Sequence, residues 1–256
     1  MVRHECGEAL GAISSQSSIP ALQQAIDETL PLNQPEISET CSLAISYIRW
    51  KQKGGMEGDV DQPMVCACML SPYSSVDPAP PLHPSHASLS AKDIGIILRD
   101  VNKPIFERYR AMFSLRNMGT KESIHELGYT LVNDESSALL RHEVAYVLGQ
   151  IQSADSIEVL KQSLERKDEH IMVRHESAEA LGAIEERWDE VEGVLKMFLE
   201  DEDDVVKESC IVALDAADYW GRGGNVDYVD EKEDGECSDG DFDEGLSFAQ
   251  QKAHSS

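Results

Sequence analysis

Apolar residues recur at helical spacing along much of the chain. In LRHEVAYVLGQI, at residues 140–151, they form one stripe that comprises Leu140, Val144, Val147, Leu148 and Ile151. Similar stripes predict shorter helices at residues 123–131 and 157–164, and the polar run at 133–136 predicts a turn with a helix cap. The pattern therefore predicts pairs of helices joined by short turns.

One of these helical segments is repeated. MVRHECGEALGAI at residues 1–13 and MVRHESAEALGAI at residues 172–184 differ at only two positions, and residues 140–151 are a more divergent copy. His142 and His175 are 33 residues apart, and the same step leads to Tyr109 and Glu208, both in repeat-like sequence. Paired helices with such a period are typical of an all-α solenoid of the HEAT type, in which neighbouring units bury one another's apolar faces.

The repeats predict an organisation in four segments. These are a partial N-terminal HEAT-repeat half at 1–53, a Pro/Ser-rich linker at 54–91, a C-terminal HEAT-repeat half at 92–222 and a disordered acidic tail at 223–256. The C-terminal half has four units, whereas the N-terminal half has equivalents of the last two only. Symmetry predicts two further units upstream, so we interpret Met1 as an internal position of a longer ancestral chain.

Composition narrows the classes of partner. The formal net charge of −26 argues against nucleic acid, because recognition of phosphates needs clusters of Lys and Arg. No apolar run could span a bilayer and no apolar signal region follows Met1, so we expect a cytoplasmic monomer that does not bind membranes. The six cysteines are expected to be reduced, and we attribute the spacing of Cys66 and Cys68 to chance. The acidity is compatible with a cationic substrate.

Four His-Glu dipeptides are the candidate chemistry: His4-Glu5, His125-Glu126, His142-Glu143 and His175-Glu176. Three of them occupy the same place in the repeat. The pair at His125 lies half a period away from His142, on the other helix of its unit, and we interpret it as an exposed helical dipeptide.

The three in-phase pairs predict a metal site. His142 lies about 200° around its helix from Leu140, away from the apolar stripe, and small residues such as Gly149 share its face. Glycine in a helix costs roughly 1 kcal/mol relative to alanine, so its recurrence indicates close approach by another helix or a ligand. Equivalent positions of a solenoid stack, so His142 and His175 could share a metal ion with the adjacent glutamates. Such ligands suit non-haem iron, manganese or zinc, and spacing does not choose among them. The alternative is a surface feature that was copied with the repeat.

Several longer motifs resemble one family. They are VRHECGEALGAI at the start, SVDPAPP in the linker, PIFERYRAMFSLRN at residues 104–117, LRHEVAYVLGQ and VRHESAEALGAI. In this order they are similar to deoxyhypusine hydroxylase. The resemblance implies two HEAT-repeat halves facing each other, with four His-Glu motifs that hold two ferrous ions. It also implies that molecular oxygen is used to hydroxylate deoxyhypusine, a modified lysine of eukaryotic translation initiation factor 5A, to hypusine.

The same resemblance assigns roles to the site residues. His142, His175 and Glu176 would bind one iron, and His4 and Glu5 would bind the other. Glu143 would be either a ligand or a catalytic carboxylate that pairs with the amine of the substrate's side chain.

The chain departs from this family in having three His-Glu motifs in phase where the family has four. The second iron would lack one histidine, so we expect little or no hydroxylase activity from the chain as printed. The main alternative is a non-catalytic HEAT-repeat binding module or truncated isoform. A repeat-type lyase is disfavoured by the linker and the FERYRAMFSLRN segment, and a zinc hydrolase by the absence of His-Glu-x-x-His on one helix.

Overall fold

A computed structural model describes residues 2–54, 73–82 and 88–221, and every regular element in these ranges is helical. Short 3₁₀ turns link some of the α-helices. The α-helices are α1 (Val2–Ile13), α2 (Ile19–Thr29), α3 (Pro35–Gln52), α4 (Ala91–Arg99), α5 (Ile105–Met118), α6 (Lys121–Asn133), α7 (Ala138–Ile151), α8 (Ile157–Glu165), α9 (Ile171–Gly182), α10 (Trp188–Met197) and α11 (Asp204–Gly221).

The helices pack as the repeat predicts. Helices α5, α7, α9 and α11 carry the motif positions and form one row, in which α7 packs against α9 and α9 against α11. Helices α4, α6 and α8 form a second row behind them, α10 packs against α9 and α11, and α1 and α3 pack together in the N-terminal part. Buried leucines and valines from both rows form one continuous apolar core, which includes Leu140, Val144 and Leu181. The prediction of an all-α HEAT-repeat fold is confirmed.

The predicted helix boundaries are correct to within a few residues. Helices predicted at 123–131 and 157–164 are α6 and α8, and the predicted turn lies between α6 and α7. The cap of α7 is Ser137, just outside the predicted run, because its hydroxyl accepts the backbone N–H of Leu140 at 3.0 Å. The hydroxyl of Ser136 instead donates to Asp134 at 2.8 Å, inside the turn.

A ladder of buried ion pairs fixes the step between repeats. Three arginines 33 residues apart each precede the motif position, and each pairs with an acidic residue in the turn before the next helix of the same row. The pairs are Arg108–Asp134, Arg141–Glu169 and Arg174–Asp201. Arg174 also donates from Nε to the carbonyl of Leu164 at 2.9 Å. The ladder therefore ties the start of one motif helix to the turn that leads into the next.

Glycines on the motif helices permit close packing, as their recurrence predicted. A Cβ on Gly149 would lie 2.9 Å from the Cα of Ala180, and one on Gly182 would lie 2.6 Å from the Cβ of Ala213. Both distances are shorter than van der Waals contact. The small residues thus allow α7, α9 and α11 to pack closely along the helix face that carries the histidines.

Gly149→Ala is expected to lower the free energy of unfolding, because overpacking of the α7–α9 contact by the added methyl group costs about 1–3 kcal/mol. This loss should outweigh the roughly 1 kcal/mol by which alanine favours a helix. Gly193 is the matched control, since it lies in α10 and a methyl group added there would have no neighbour within 4 Å. Gly193→Ala should therefore stabilise the protein in urea denaturation. Equal stabilisation by both substitutions would contradict the close helix contact.

Part of the predicted linker packs against the C-terminal repeats. Within residues 73–82, Ala79 and Leu82 are buried, and the carboxylate of Asp77 pairs with the buried guanidinium of Arg116. The backbone N–H of Leu82 donates to Ser114 Oγ at 2.9 Å. A segment expected to be only a connection is thus held on α5 by apolar and ionic contacts, with residues 79–82 buried in succession.

Other predictions fall partly or wholly outside the described residues. Cys66 and Cys68, most of the linker at 54–91 and the acidic tail at 223–256 lie there, and the division into four segments stays a prediction. Helix α4 begins at Ala91, the last residue of the predicted linker. Among the described cysteines, Cys6, Cys41 and Cys210 are free thiols. None of the described helices combines the length and apolar character needed to cross a membrane.

Candidate metal centre

The three in-phase His-Glu motifs converge on one place in the fold. They lie in the N-terminal halves of α1, α7 and α9. The imidazole rings of His4 and His142 meet edge to face with their centroids 5.3 Å apart, although they are far apart in sequence. His142 Nε2 lies 3.2 Å from Glu176 Oε2 on the neighbouring repeat. The motif of the N-terminal half therefore faces those of the C-terminal half.

His175, Glu176 and Glu179 form a compact group of possible ligands. One nitrogen or oxygen atom from each lies within 4.8 Å of those of the other two. Glu176 thus approaches His175 on its own helix and His142 on the preceding one. One carboxylate therefore lies close to the histidines of two successive repeats, and the sharing of a metal ion by His142 and His175 stays a prediction.

The N-terminal part contributes His4 and two carboxylates. His4 Nε2 lies 3.5 Å from Glu8 Oε1 and 4.0 Å from Glu5 Oε1. The side chain of Glu5 is 61% exposed, whereas that of Glu176, its equivalent in the repeat, is 11% exposed and pairs with His142. Glu5 therefore lies at the rim of the cluster and Glu8 lies closer to its centre.

Buried carboxylates dominate the electrostatics of the cluster. Burial, reinforced by the neighbouring carboxylate of Glu8, raises the pKa of Glu143 to about 8. Burial also raises the pKa of Glu8 to about 7, with further contributions from Glu5 and Glu176 that oppose the effect of His142. A bound cation would offset both desolvation and mutual repulsion, so the cluster is electrostatically suited to one.

The histidines differ in their surroundings. Burial, and then the proximity of His142, lowers the pKa of His4 to about 4, so its ring is neutral at physiological pH. Burial opposes protonation of His142, but its hydrogen bond with Glu176 and the nearby carboxylates outweigh burial and raise its pKa. Within the described part of the chain, the buried atoms His4 Nε2 and His142 Nδ1 have no hydrogen-bond partner.

These observations fit a metal ion with nitrogen and oxygen ligands. The neutral imidazole of His4 has a buried nitrogen without a hydrogen-bond partner, and carboxylates lie close to it. The lone pair of such a nitrogen can coordinate a metal ion. No thiol joins the group among the described residues, since the ligand atoms brought together come from His and Glu. Imidazole with carboxylate is the donor set that suits non-haem iron, and also manganese or zinc.

Sequence reasoning placed the main residues of the cluster but missed two carboxylates. His4, His142, Glu143, His175 and Glu176 lie together, with Glu5 at the edge. The additional members, Glu8 and Glu179, follow His4 and His175 by four residues, a spacing that puts them on the same helix face. That spacing was the available signal.

The fourth His-Glu pair lies outside the cluster, and one half of its interpretation was wrong. The side chain of His125 is 76% exposed, as expected, but Glu126 is buried and pairs with Arg99. Helix α6 packs against α4, so the carboxylate faces that neighbour while the adjacent imidazole faces solvent.

Comparison with protein families identifies the repeat type. A family described as "HEAT repeats" matches residues 135–215, and a family described as "PBS lyase HEAT-like repeat" matches residues 2–28. The two matches cover segments on both sides of the predicted linker.

Comparison with curated proteins extends over most of the chain. The deoxyhypusine hydroxylase of Saccharomyces cerevisiae is 48% identical over 221 residues, which are 86% of this chain and 63% of that protein. Those of Candida albicans and Drosophila melanogaster are 43% and 42% identical over 219 residues, covering 64% and 66% of their lengths. The chain therefore spans slightly less than two thirds of the length of these relatives.

A solved structure has the same fold. Human deoxyhypusine hydroxylase in complex with glycerol superposes with a TM-score of 0.72 at 42% sequence identity. The match covers 86% of this chain and 68% of the human chain.

Proposed function

The chain belongs to the deoxyhypusine hydroxylase family, and from that premise we propose that its histidine–carboxylate cluster is an iron site for hydroxylation of deoxyhypusine. The substrate would be the deoxyhypusine residue of eukaryotic translation initiation factor 5A, with molecular oxygen as co-substrate, in the cytoplasm. The observation that supports this most strongly is the convergence of three in-phase His-Glu motifs on one buried place.

Two groups of residues would hold two ferrous ions. His142, His175 and Glu176 would bind one, because Glu176 approaches both imidazoles. His4 and Glu5 would bind the other, with Glu8 as a further carboxylate close to His4. When bound, iron would supply the activation of molecular oxygen, which amino-acid side chains alone do not perform.

Glu143 is the candidate catalytic carboxylate. It is buried and lies among the carboxylates of the cluster, which raise its pKa together with burial. A cationic group beside it would restore its negative charge and gain a charge-assisted hydrogen bond. Glu143 would therefore have one of two roles. It would either complete the set of metal ligands or form a charge-assisted hydrogen bond with the terminal amine of deoxyhypusine, which would position that side chain beside the iron site.

The chain as printed is proposed to be impaired as an enzyme. In the C-terminal half the carboxylate of Glu176 is buried and pairs with His142 of the preceding repeat, whereas the carboxylate of Glu5 is largely exposed. The site around His4 thus offers one imidazole where the site around Glu176 offers two. The exposure of Glu5 is also compatible with a second function, that of a HEAT-repeat module that binds the translation factor without hydroxylating it.

Metal content separates the two functions. We expect protein that is loaded anaerobically with ferrous iron to retain no more than one tightly bound iron per chain and to convert deoxyhypusine only slowly. The count would come from elemental analysis after gel filtration, and conversion from mass spectrometry of the modified peptide. Two irons per chain with normal turnover would contradict the impairment, and retention of no iron would favour the binding module.

A further inference from the structure

The last repeat of each half places a hydroxyl where the preceding repeat places a carboxylate. The histidine of one motif contacts the residue that follows the equivalent position in the next unit. For His142 that residue is Glu176, at 3.2 Å. For His175 it is Ser209, whose Oγ lies 2.5 Å from Nδ1, and for His4 it is Thr40, whose Oγ1 lies 2.7 Å from Nδ1.

Each hydroxyl already donates its single hydrogen elsewhere. Thr40 Oγ1 donates to the carbonyl of Glu36 at 2.8 Å, and Ser209 Oγ donates to the carbonyl of Val205 at 2.7 Å. A carbonyl oxygen only accepts, so the hydrogen in each of these bonds belongs to the hydroxyl. The short contact with the imidazole is then favourable only if the ring nitrogen carries a proton and donates it.

We propose that Thr40 and Ser209 are positioning residues that hold His4 and His175 as tautomers protonated at Nδ1. The Nε2 atom of each ring is thereby left with its lone pair. For His4 that atom is the buried one without a hydrogen-bond partner in the described part of the chain, and it faces Glu8 and Glu5. Metal-bound histidines are commonly oriented by such a bond from the other ring nitrogen.

The two hydroxyls are not equally isolated. The ring of His4 is buried and Thr40 is the hydrogen-bond partner of its Nδ1, whereas Nδ1 of His175 also lies 3.5 Å from Glu179 Oε1. The carboxylate of Glu179 could accept a hydrogen bond from the same Nδ1–H and so also stabilise this tautomer of His175. Loss of the hydroxyl should therefore change the tautomer of His4 more completely than that of His175.

The consequence for metal binding rests on the proposed function, but the tautomer preference does not. Thr40→Val and Ser209→Ala remove the hydroxyls, while Thr40→Ser and Ser209→Thr retain them. Thr29→Val and Ser46→Ala are matched controls, because those hydroxyls donate to a carbonyl four residues earlier and contact no imidazole in the described structure.

The test reads the tautomers in the metal-free protein. Long-range ¹H–¹⁵N correlation spectra of histidine-labelled protein, at a slightly alkaline pH, report which nitrogen of each ring is protonated. We expect protonation at Nδ1 of His4 and His175 in the wild type, a mixture or reversal in Thr40→Val and Ser209→Ala, and wild-type spectra in the serine, threonine and control variants. Unchanged tautomers in both hydroxyl-free variants would overturn the proposal.

Titration with cobalt(II), as an oxygen-stable substitute for ferrous iron, tests the consequence. Affinity should fall by about 10- to 100-fold at the tighter site in Ser209→Ala and at the weaker site around His4 in Thr40→Val, and it should be restored in the variants that retain the hydroxyl. Cobalt binding that is equal in all variants would overturn the positioning role. A wild-type protein that shows the expected tautomers yet binds no cobalt would instead contradict the iron site and support the hydrogen-bond assignment.

Discussion

Replacing His142 by alanine is expected to lower the affinity of the protein for ferrous iron by more than about 100-fold, the upper range for loss of an outer-sphere partner. His142 lies between the two proposed iron positions, since its ring meets that of His4 and its Nε2 contacts Glu176. Its loss would remove one ligand and release a carboxylate that it now orients. Equilibrium competition with a ferrous-iron chelator gives the affinity directly.

His125→Ala is the matched control for this variant. It removes a histidine from the same dipeptide, but that side chain is exposed on α6 and away from the cluster. Iron affinity should not change, and circular dichroism should show that both variants remain helical. If His142→Ala binds iron as tightly as His125→Ala, the cluster is not the iron site.

The second large effect is expected on stability. Arg174→Met should lower the free energy of unfolding by up to about 3–5 kcal/mol, because it removes the main partner of a buried carboxylate and leaves it only the exposed Lys167 at 3.5 Å and the backbone N–H of Asp203. The guanidinium of Arg174 donates to both oxygens of Asp201, at 2.6 and 3.1 Å, and both side chains are 2% exposed. Lys121→Met is the control: the ion pair of Lys121 with Asp155 is exposed, so its loss should cost less than about 1 kcal/mol.

Acid unfolding supplies an independent check on the same pair. The hydrogen bonds from Arg174 lower the pKa of Asp201 to about 2, against the opposing effect of burial. A carboxylate whose folded pKa is depressed stabilises the fold above its unfolded pKa of about 4, and this contribution is lost as the pH falls toward 2. The dependence of stability on pH in this window should be weaker in Arg174→Met. An unchanged slope together with an unchanged stability at neutral pH would contradict the ladder.

The repeat explains how much of the fold and site could be predicted. A step of 33 residues makes equivalent positions stack, so the phase of His142 and His175 was enough to predict that they lie on neighbouring helices of the row, beside the adjacent glutamates. The apolar stripe of residues 140–151 predicted its helix for the same reason: the 3.6-residue period is local and can be counted. Features that repeat, or that depend on local spacing, are therefore visible in the chain.

Features that depend on pairing between distant, non-repeated residues were not visible. Asp77 and Arg116 are 39 residues apart and share no motif, so nothing indicated that the linker segment would pack on α5. Glu126 was expected to be exposed because its dipeptide lies half a period out of phase with the motif. Its burial depends on Arg99, a partner on another helix that the sequence did not indicate. The contacts of Thr40 with His4 and of Ser209 with His175 depend on which neighbouring repeat follows each histidine, and that is known only once the helices are packed.

We propose that His-Glu motifs in phase on stacked helices bind iron through imidazole and carboxylate. X-ray absorption at the iron K-edge of the anaerobically loaded protein tests it most directly. We expect a first shell of nitrogen and oxygen with the outer-shell scattering of imidazole, and that scattering should weaken strongly when His142 and His175 are both replaced by alanine. Sulfur ligation, or an iron environment that is unchanged in the double variant, would contradict it.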